Sequence, residues 1–141
     1  MADKVRRYAQ DTKVPVGISR DEIERMLRRA GAGQVYAGTD SDAQRIVLGF
    51  KLDGRHFKIT TSTNRPTRRC DVEQLEREAW RSLLLRLKAK LESIADGSST
   101  AEEEFLSHLL LPDGTTVGEQ VLPKVAEAYA SGSMPAGFLG A

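Results

Sequence analysis

Arg65, Arg68 and Arg69 stand close together, just ahead of a segment that reads as a long helix. Arg77 and Arg81 follow one turn apart on that helix, with Arg86, Lys88 and Lys90 beyond them. Lys51, Arg55 and Lys58 flank a predicted hairpin and extend the same basic set. Cations at a helix entry can meet phosphates together with the free backbone amides of the first turn. The chemistry on offer is therefore anion recognition, with nucleic acid as the first ligand class. Solvated cations, or a dock for acidic helices of the same chain, are the plain alternative. Aromatic residues are sparse in this set. Phe50 and Phe57 should face the core, which argues against stacking of single-stranded bases.

Other chemistry finds little support. Gly31-x-Gly33 follows a helix and precedes a strand, whereas a dinucleotide loop needs the reverse order to aim helix amides at pyrophosphate. There is no P-loop, zinc spacing or nucleophile elbow. Cys70 lies beside Arg69 near a helix start, surroundings that can activate a cysteine, but neither histidine is near it in sequence. Glu104 and His108 are four apart and would share a helix face, yet two ligands do not make a metal site. Glu102, Glu103 and Glu104 fit a first helical turn, where carboxylates complement the helix dipole. No catalytic residue, cofactor or metal is expected.

The chain has 141 residues, of which 40% are hydrophobic and 29% charged, as expected of one globular domain. No run approaches the roughly 20 apolar residues of a membrane span. The first ten residues lack an apolar signal core, so secretion is not expected. The single cysteine cannot form an internal disulfide and fits a reducing compartment. The net charge of +1 hides an asymmetry. Residues 1–90 hold 20 Lys and Arg against 12 Asp and Glu, a balance of +8; residues 91–141 hold 1 against 8, a balance of −7. Such a split suggests an anionic partner for the first part or a match between the two parts.

The elements that must position the cations follow from periodicity. Val14-Pro15-Val16 is a short extended piece. Ser19 and Glu22 read as a capping box, followed by Ile23, Met26, Leu27 and Ala30 on one helical face and a stop at Gly31. Strands are predicted over 34–39, 45–52 and 55–62, with Asp53-Gly54 as the hairpin turn. This register sets Phe50 opposite Phe57, Leu48 opposite Ile59 and Ile46 opposite Thr61 on one apolar face. Lys51, Gly49 and Val47 lie opposite His56, Lys58 and Thr60 on the wet face. Asp71 caps a helix to about Ala95, with a stripe of Trp80, Leu83, Leu84, Leu87, Leu91 and Ile94. Thr100–Glu103 and Thr116–Glu119 read as boxes for two more helices. The first would carry Ala101, Phe105 and Leu109, and the second would bury Val117, Val121, Val125 and Ala128.

The pattern predicts an α+β fold: helix, three-stranded antiparallel sheet, a long helix packed on it, then two C-terminal helices. Residues 1–13 form a flexible arm in this reading, 14–96 an α-β-β-β-α core, 97–132 an acidic helical section packed on the core, and 133–141 a tail. The long helix's apolar stripe covers about 21 Å. If the acidic helices leave it bare, a second copy must cover it, so a homo-oligomer is expected.

Three stretches carry a resemblance: VPVGISRDEIERMLRRAGA over 14–32, VLGFKLDGR over 47–55 and EEEFLSHLLLPDGTTVGE over 102–119. They resemble a widespread family of small tailed-phage and prophage proteins with no assigned activity, over about residues 14–135. The resemblance implies a phage protein in the cytoplasm of a bacterial host. Two roles follow from it: a non-enzymatic accessory protein that binds nucleic acid in replication or recombination, or a counter-defence protein. The latter would bind a host immune protein or sequester a signalling nucleotide. The order helix, three strands, helix also resembles double-stranded-RNA-binding domains and phage single-strand annealing proteins. The lysine-rich start of the second helix in the former is here Asp71-Val72-Glu73-Gln74, with the arginines just before it.

Overall fold

The computed structural model describes residues 9–138. Helix α1 (Val16–Arg29) leads into strands β1 (Gly33–Asp40), β2 (Arg45–Leu52) and β3 (Arg55–Ser62). The long helix α2 (Val72–Ala95), a single turn α3 (Ala101–Glu104), a 3-10 turn (Leu106–His108) and helix α4 (Val117–Ser131) follow. The sheet is antiparallel in the order β1-β2-β3. The fold is α+β, as the alternation of periods predicts. Among the described residues no helix is long and apolar enough to cross a membrane.

Asp53 and Gly54 hold φ of 51° and 76°, the left-handed pair that a two-residue hairpin turn requires. The predicted register holds along the whole hairpin, with Phe50 opposite Phe57 and Leu48 opposite Ile59. Helices α1 and α2 lie side by side over the apolar face. Ile23 and Leu27 come from α1; Trp80, Leu83, Leu84 and Leu87 come from α2; Ile46, Leu48 and Phe50 rise from β2. Asp71 caps α2 by accepting a hydrogen bond from the Gln74 amide at 2.8 Å. The Trp80 indole donates to Thr39 Oγ1 at 2.9 Å, which ties α2 to β1.

Four expectations need correction. Helix α1 starts one turn earlier than the capping box implied, because Pro15, with φ −59° and ψ 149°, ends an extended approach and its carbonyl takes the Ile18 and Ser19 amides. Ser19 therefore sits inside the helix, fully buried, and its hydroxyl has no hydrogen-bond partner. The helix expected from Thr100 through Leu109 lasts one turn. Phe105 leaves helical geometry at φ −117°, which turns its ring into the core against Phe50 and Phe57, at centroid distances of 5.3 and 5.6 Å. Leu109 then pairs with Phe57 at the edge of β3, and the Leu110 amide donates to the His56 carbonyl at 2.8 Å.

The face expected to be buried on α4 is only half-buried; the buried residue there is Gly118, where a Cβ would press on the Ser107 carbonyl. Helix α4 continues through Pro123. Finally, Trp80, Leu83, Leu84, Leu87 and Leu91 are buried within the chain. The argument for a second copy on α2 falls, since α1, the sheet and Phe105 already cover the stripe. The arm predicted over 1–13 lies outside the described residues up to residue 8. From Asp11 on it is tied to α2: the Asp11 amide donates to Glu78 Oε2 at 3.0 Å, and Gln74 Nε2 donates to the Thr12 carbonyl at 2.9 Å.

Two stability measurements check this packing. A Ser19 cap would make Ser19→Ala destabilising. The buried, unpartnered hydroxyl predicts instead that Ser19→Ala raises stability by about 1 kcal/mol in urea unfolding. Leu87→Glu is expected to abolish cooperative unfolding, as judged by circular dichroism, because it places a charge in the core without a partner.

Candidate nucleic-acid interface

Local structure decides which cations remain available to a ligand. Arg68, in the loop before α2, has its guanidinium between the Glu78 carboxylate and Asp11, the latter at 3.2 Å. Its side chain is 24% exposed and that of Glu78 is 14% exposed. The Glu78 hydrogen bond, then that of Asp11, holds Arg68 more firmly protonated than usual. Burial alone pushes the Glu78 carboxyl up. Hydrogen bonds from Gln74, the Asp11 amide and Arg68 outweigh it and hold the group below the usual carboxylate range. Arg68 thus joins the arm to α2 and is spent on that contact.

Three further candidates are engaged inside the chain. Arg81 Nη1 meets Glu22 Oε2 of α1 at 3.3 Å. Arg55 Nε meets Glu102 Oε1 at 3.3 Å. Arg77 gives Nε and Nη2 to Gln74 Oε1 at 2.9 and 2.7 Å. Arg65 turns back on its own loop, where Nη1 donates to the carbonyls of Ser62 and Asn64 at 3.0 and 2.7 Å. Arg69 is exposed. The stripe anticipated along residues 65–90 is therefore broken by internal pairing.

Lys51 and Lys58 are placed differently. Both project from the sheet face opposite α1 and α2, and neither joins an ion pair among the described residues. Lys51 lies opposite His56, and Gly49 lies opposite Lys58, so the two lysines are diagonal neighbours, about 7–8 Å apart at the backbone. On the other side of β2, Gly49 pairs with Tyr36 of β1. The Tyr36 ring occupies the space that a Cβ at Gly49 would need. One face of the ring rests on the glycine backbone while the residue stays 53% exposed. Tyr36, Gly49 and Lys58 thus form one row across three strands. Val47 and Thr60 lie in the next row, and His56 flanks Lys51. The acidic residue on this face, Asp40, is at the far end and faces Arg45 at 3.8 Å.

The wet face was legible in the alternation of β2 and β3, but Tyr36 was missed. Its partner on β2 depends on the register of β1, which shifts between Gly33 and Tyr36, where Gln34 takes φ 51°. A glycine amid Val47, Leu48 and Phe50 was the available signal, since such a gap often admits a cross-strand aromatic ring. Other chemistry is not assembled here. Glu104 and His108 do not share a helix face, because α3 ends at Glu104. Among the described residues no group of three or more His, Cys, Asp or Glu could hold a metal ion. No protein-family model matches the chain, and no curated protein or solved structure is significantly similar to it.

Loss of Arg68 is expected to act on folding rather than on ligand affinity. Arg68→Ala lowers the Tm at neutral pH, whereas Arg69→Ala leaves it unchanged. Because the folded Glu78 carboxyl is depressed, the unfolded chain takes up that proton first as the pH falls. The contribution is complete above the ordinary carboxylate range and is lost in acid as the pH passes the folded value. Glu78→Gln should flatten the acid limb of a plot of stability against pH.

Proposed function

We propose that this chain binds single-stranded nucleic acid on the open face of its sheet, as a non-enzymatic accessory protein. The observation that carries the reading is Tyr36, laid over Gly49 with one ring face outward and with Lys51 and Lys58 beside it. A base can stack on the exposed ring whatever its identity, while the lysines neutralise neighbouring phosphates. The three-stranded antiparallel sheet gives the strand a surface that runs across β1, β2 and β3. The balance of +8 over residues 1–90 would speed its approach. The site moves from the arginine loop to the sheet, since Arg68, Arg81 and Arg55 are neutralised within the chain. The resemblance to tailed-phage proteins supplies a setting for the proposal: service of phage DNA or RNA in a bacterial cytoplasm.

Fluorescence anisotropy with labelled oligothymidine tests it. Tyr36→Ala is expected to weaken binding by about 5- to 150-fold, the equivalent of one lost stacked base, and Tyr36→Phe to preserve it. Lys51→Ala combined with Lys58→Ala should reduce the slope of log affinity against log salt by about 1.4. Changing Arg65, Arg68 and Arg69 together should matter less than Tyr36→Ala once folding is matched. No binding of oligothymidine at low salt, or equal affinity in wild type and Tyr36→Ala, sinks the reading.

A further inference from the structure

The two edges of the sheet differ. Leu109 and Leu110 sit on the outer edge of β3, where the Leu110 amide donates to the His56 carbonyl at 2.8 Å. The outer edge of β1 has no backbone partner among the described residues. The direction of its groups follows from the hairpin. A two-residue turn makes Leu52 and Arg55 a hydrogen-bonded pair, and bonding alternates along β2, so Val47 and Gly49 aim their backbone groups at Gly38 and Tyr36 of β1. Ala37 and Thr39 therefore aim theirs outward. The Ala37 carbonyl does so visibly, since it accepts a hydrogen bond from Arg20 Nη2 of α1 at 2.6 Å. No proline or lysine guards this strand, and its one charged residue, Asp40, stands at the end.

A cavity of about 190 Å³ lies beside that edge, between β1 and α1. Arg20, Asp21 and Glu24 recur at helical spacing on α1 and form its rim; Val35, Ala37 and Leu48 form an apolar floor. The volume is below the roughly 300–1,000 Å³ of sites for small molecules and cofactors, and suits a single apolar side chain. The rim charges are unequally engaged. Arg20 holds the Ala37 carbonyl and lies 5.5 Å from the Trp80 ring. Glu24 meets Arg28 at 2.9 Å. Asp21 is exposed and joins no ion pair among the described residues. The charge left for a ligand is therefore negative. It disfavours a phosphate backbone, and it disfavours a second copy, which a two-fold axis would bring up with the same rim.

We propose that the free edge of β1 takes an extended, basic segment of a partner protein as a fourth strand, with one of its apolar side chains in the cavity. Backbone hydrogen bonds to Ala37 and Thr39 hold the strand, and the cavity selects its side chain. The Ala37 carbonyl keeps a second lone pair for the incoming amide. Side chains two apart on a strand share a face, so a lysine or arginine two residues from the apolar one comes under α1, beside Asp21. Tyr36 projects from the opposite face of β1 to Ala37, so the proposal stands whether or not the open face binds nucleic acid.

Amide NMR of the full chain, titrated with the blocked hexapeptide KTVTKT, tests this. Its lysines flank the valine on one face whichever way the strand runs. The expected result is a saturable shift of signals from β1 and α1, led by the Ala37 and Thr39 amides. The peptide KTDTKT should produce none of it, because a carboxylate does not enter an apolar cavity. The acidic peptide ETVTET should bind several-fold less tightly. Asp21→Lys, on the exposed side of α1, should lower affinity for KTVTKT about fivefold and raise that for ETVTET, since an attraction becomes a repulsion. No shift of Ala37 and Thr39 at millimolar KTVTKT, or equal shifts with ETVTET, overturns the proposal. So does a shift of the same amides on raising the protein concentration without peptide, which gives the edge to a second copy. Strong protection of both amides from hydrogen exchange in the free monomer gives it to a segment of the same chain and also overturns it.

Discussion

The turn at Asp53-Gly54 sets the register on which both the core and the open sheet face depend. Its two residues adopt positive φ together, so β2 and β3 leave it in one alignment with little freedom to slide. Side chains alternate between faces, and a slip of one residue would exchange them all. In the observed alignment Ile46, Leu48 and Phe50 enter the space under α2, while Val47, Gly49 and Lys51 turn outward. A slipped hairpin would bury lysines and expose phenylalanines. The cost of that exchange protects the arrangement of Lys51 and Lys58 without any contact between them. Gly49 contributes through the same geometry: its missing side chain matters because β1 sets Tyr36 directly across from it.

Charge is sorted more finely than the imbalance between the two parts of the chain suggests. The acidic section reaches back to the basic one through Arg55 with Glu102 and Lys90 with Glu104. Within the basic part, Glu22 meets Arg81, and Glu78 with Asp11 encloses Arg68. The more exposed of these pairs, Arg55 with Glu102 above all, add little stability, whereas the largely buried contact of Arg68 with Glu78 adds more. Their larger consequence is selection, because each one removes a cation from the set that can meet a ligand. Among the sheet cations, Lys51 and Lys58 beside Tyr36 remain outside any such pair among the described residues.

The fold was readable wherever local chemistry and tertiary packing agreed. The hairpin, the Asp71 cap and the span of α2 each had a strong local signal that packing reinforced. Ser19 and Phe105 show the opposite case. Ser19 had the right neighbours for a cap, but Pro15 upstream already fixed the helix start. Phe105 continued a helical period, yet its ring gained more from the pocket beside Phe50 and Phe57 than a longer helix would have gained from solvent. For the site, sequence gave the types of the cations but not their partners. Arg68 and Glu78 are ten residues apart and look like independent surface charges until loop and helix meet. Tyr36 was hidden by a bulge, which periodicity does not register.

The segment after α3 closes the core as well as lengthening the sheet. Phe105 completes a cluster of three rings, and Leu109 and Leu110 occupy the edge of β3 beside Phe57 and His56. During synthesis the hairpin and α2 leave the ribosome before these residues do. In that interval the nascent chain carries two uncovered aromatic rings and an unpaired strand edge, the features most prone to recruit another chain. A late-emerging segment of the domain therefore acts as its own chaperone. Folding ends only when a short, irregular stretch with hardly any helix of its own arrives to seal what the regular elements left open.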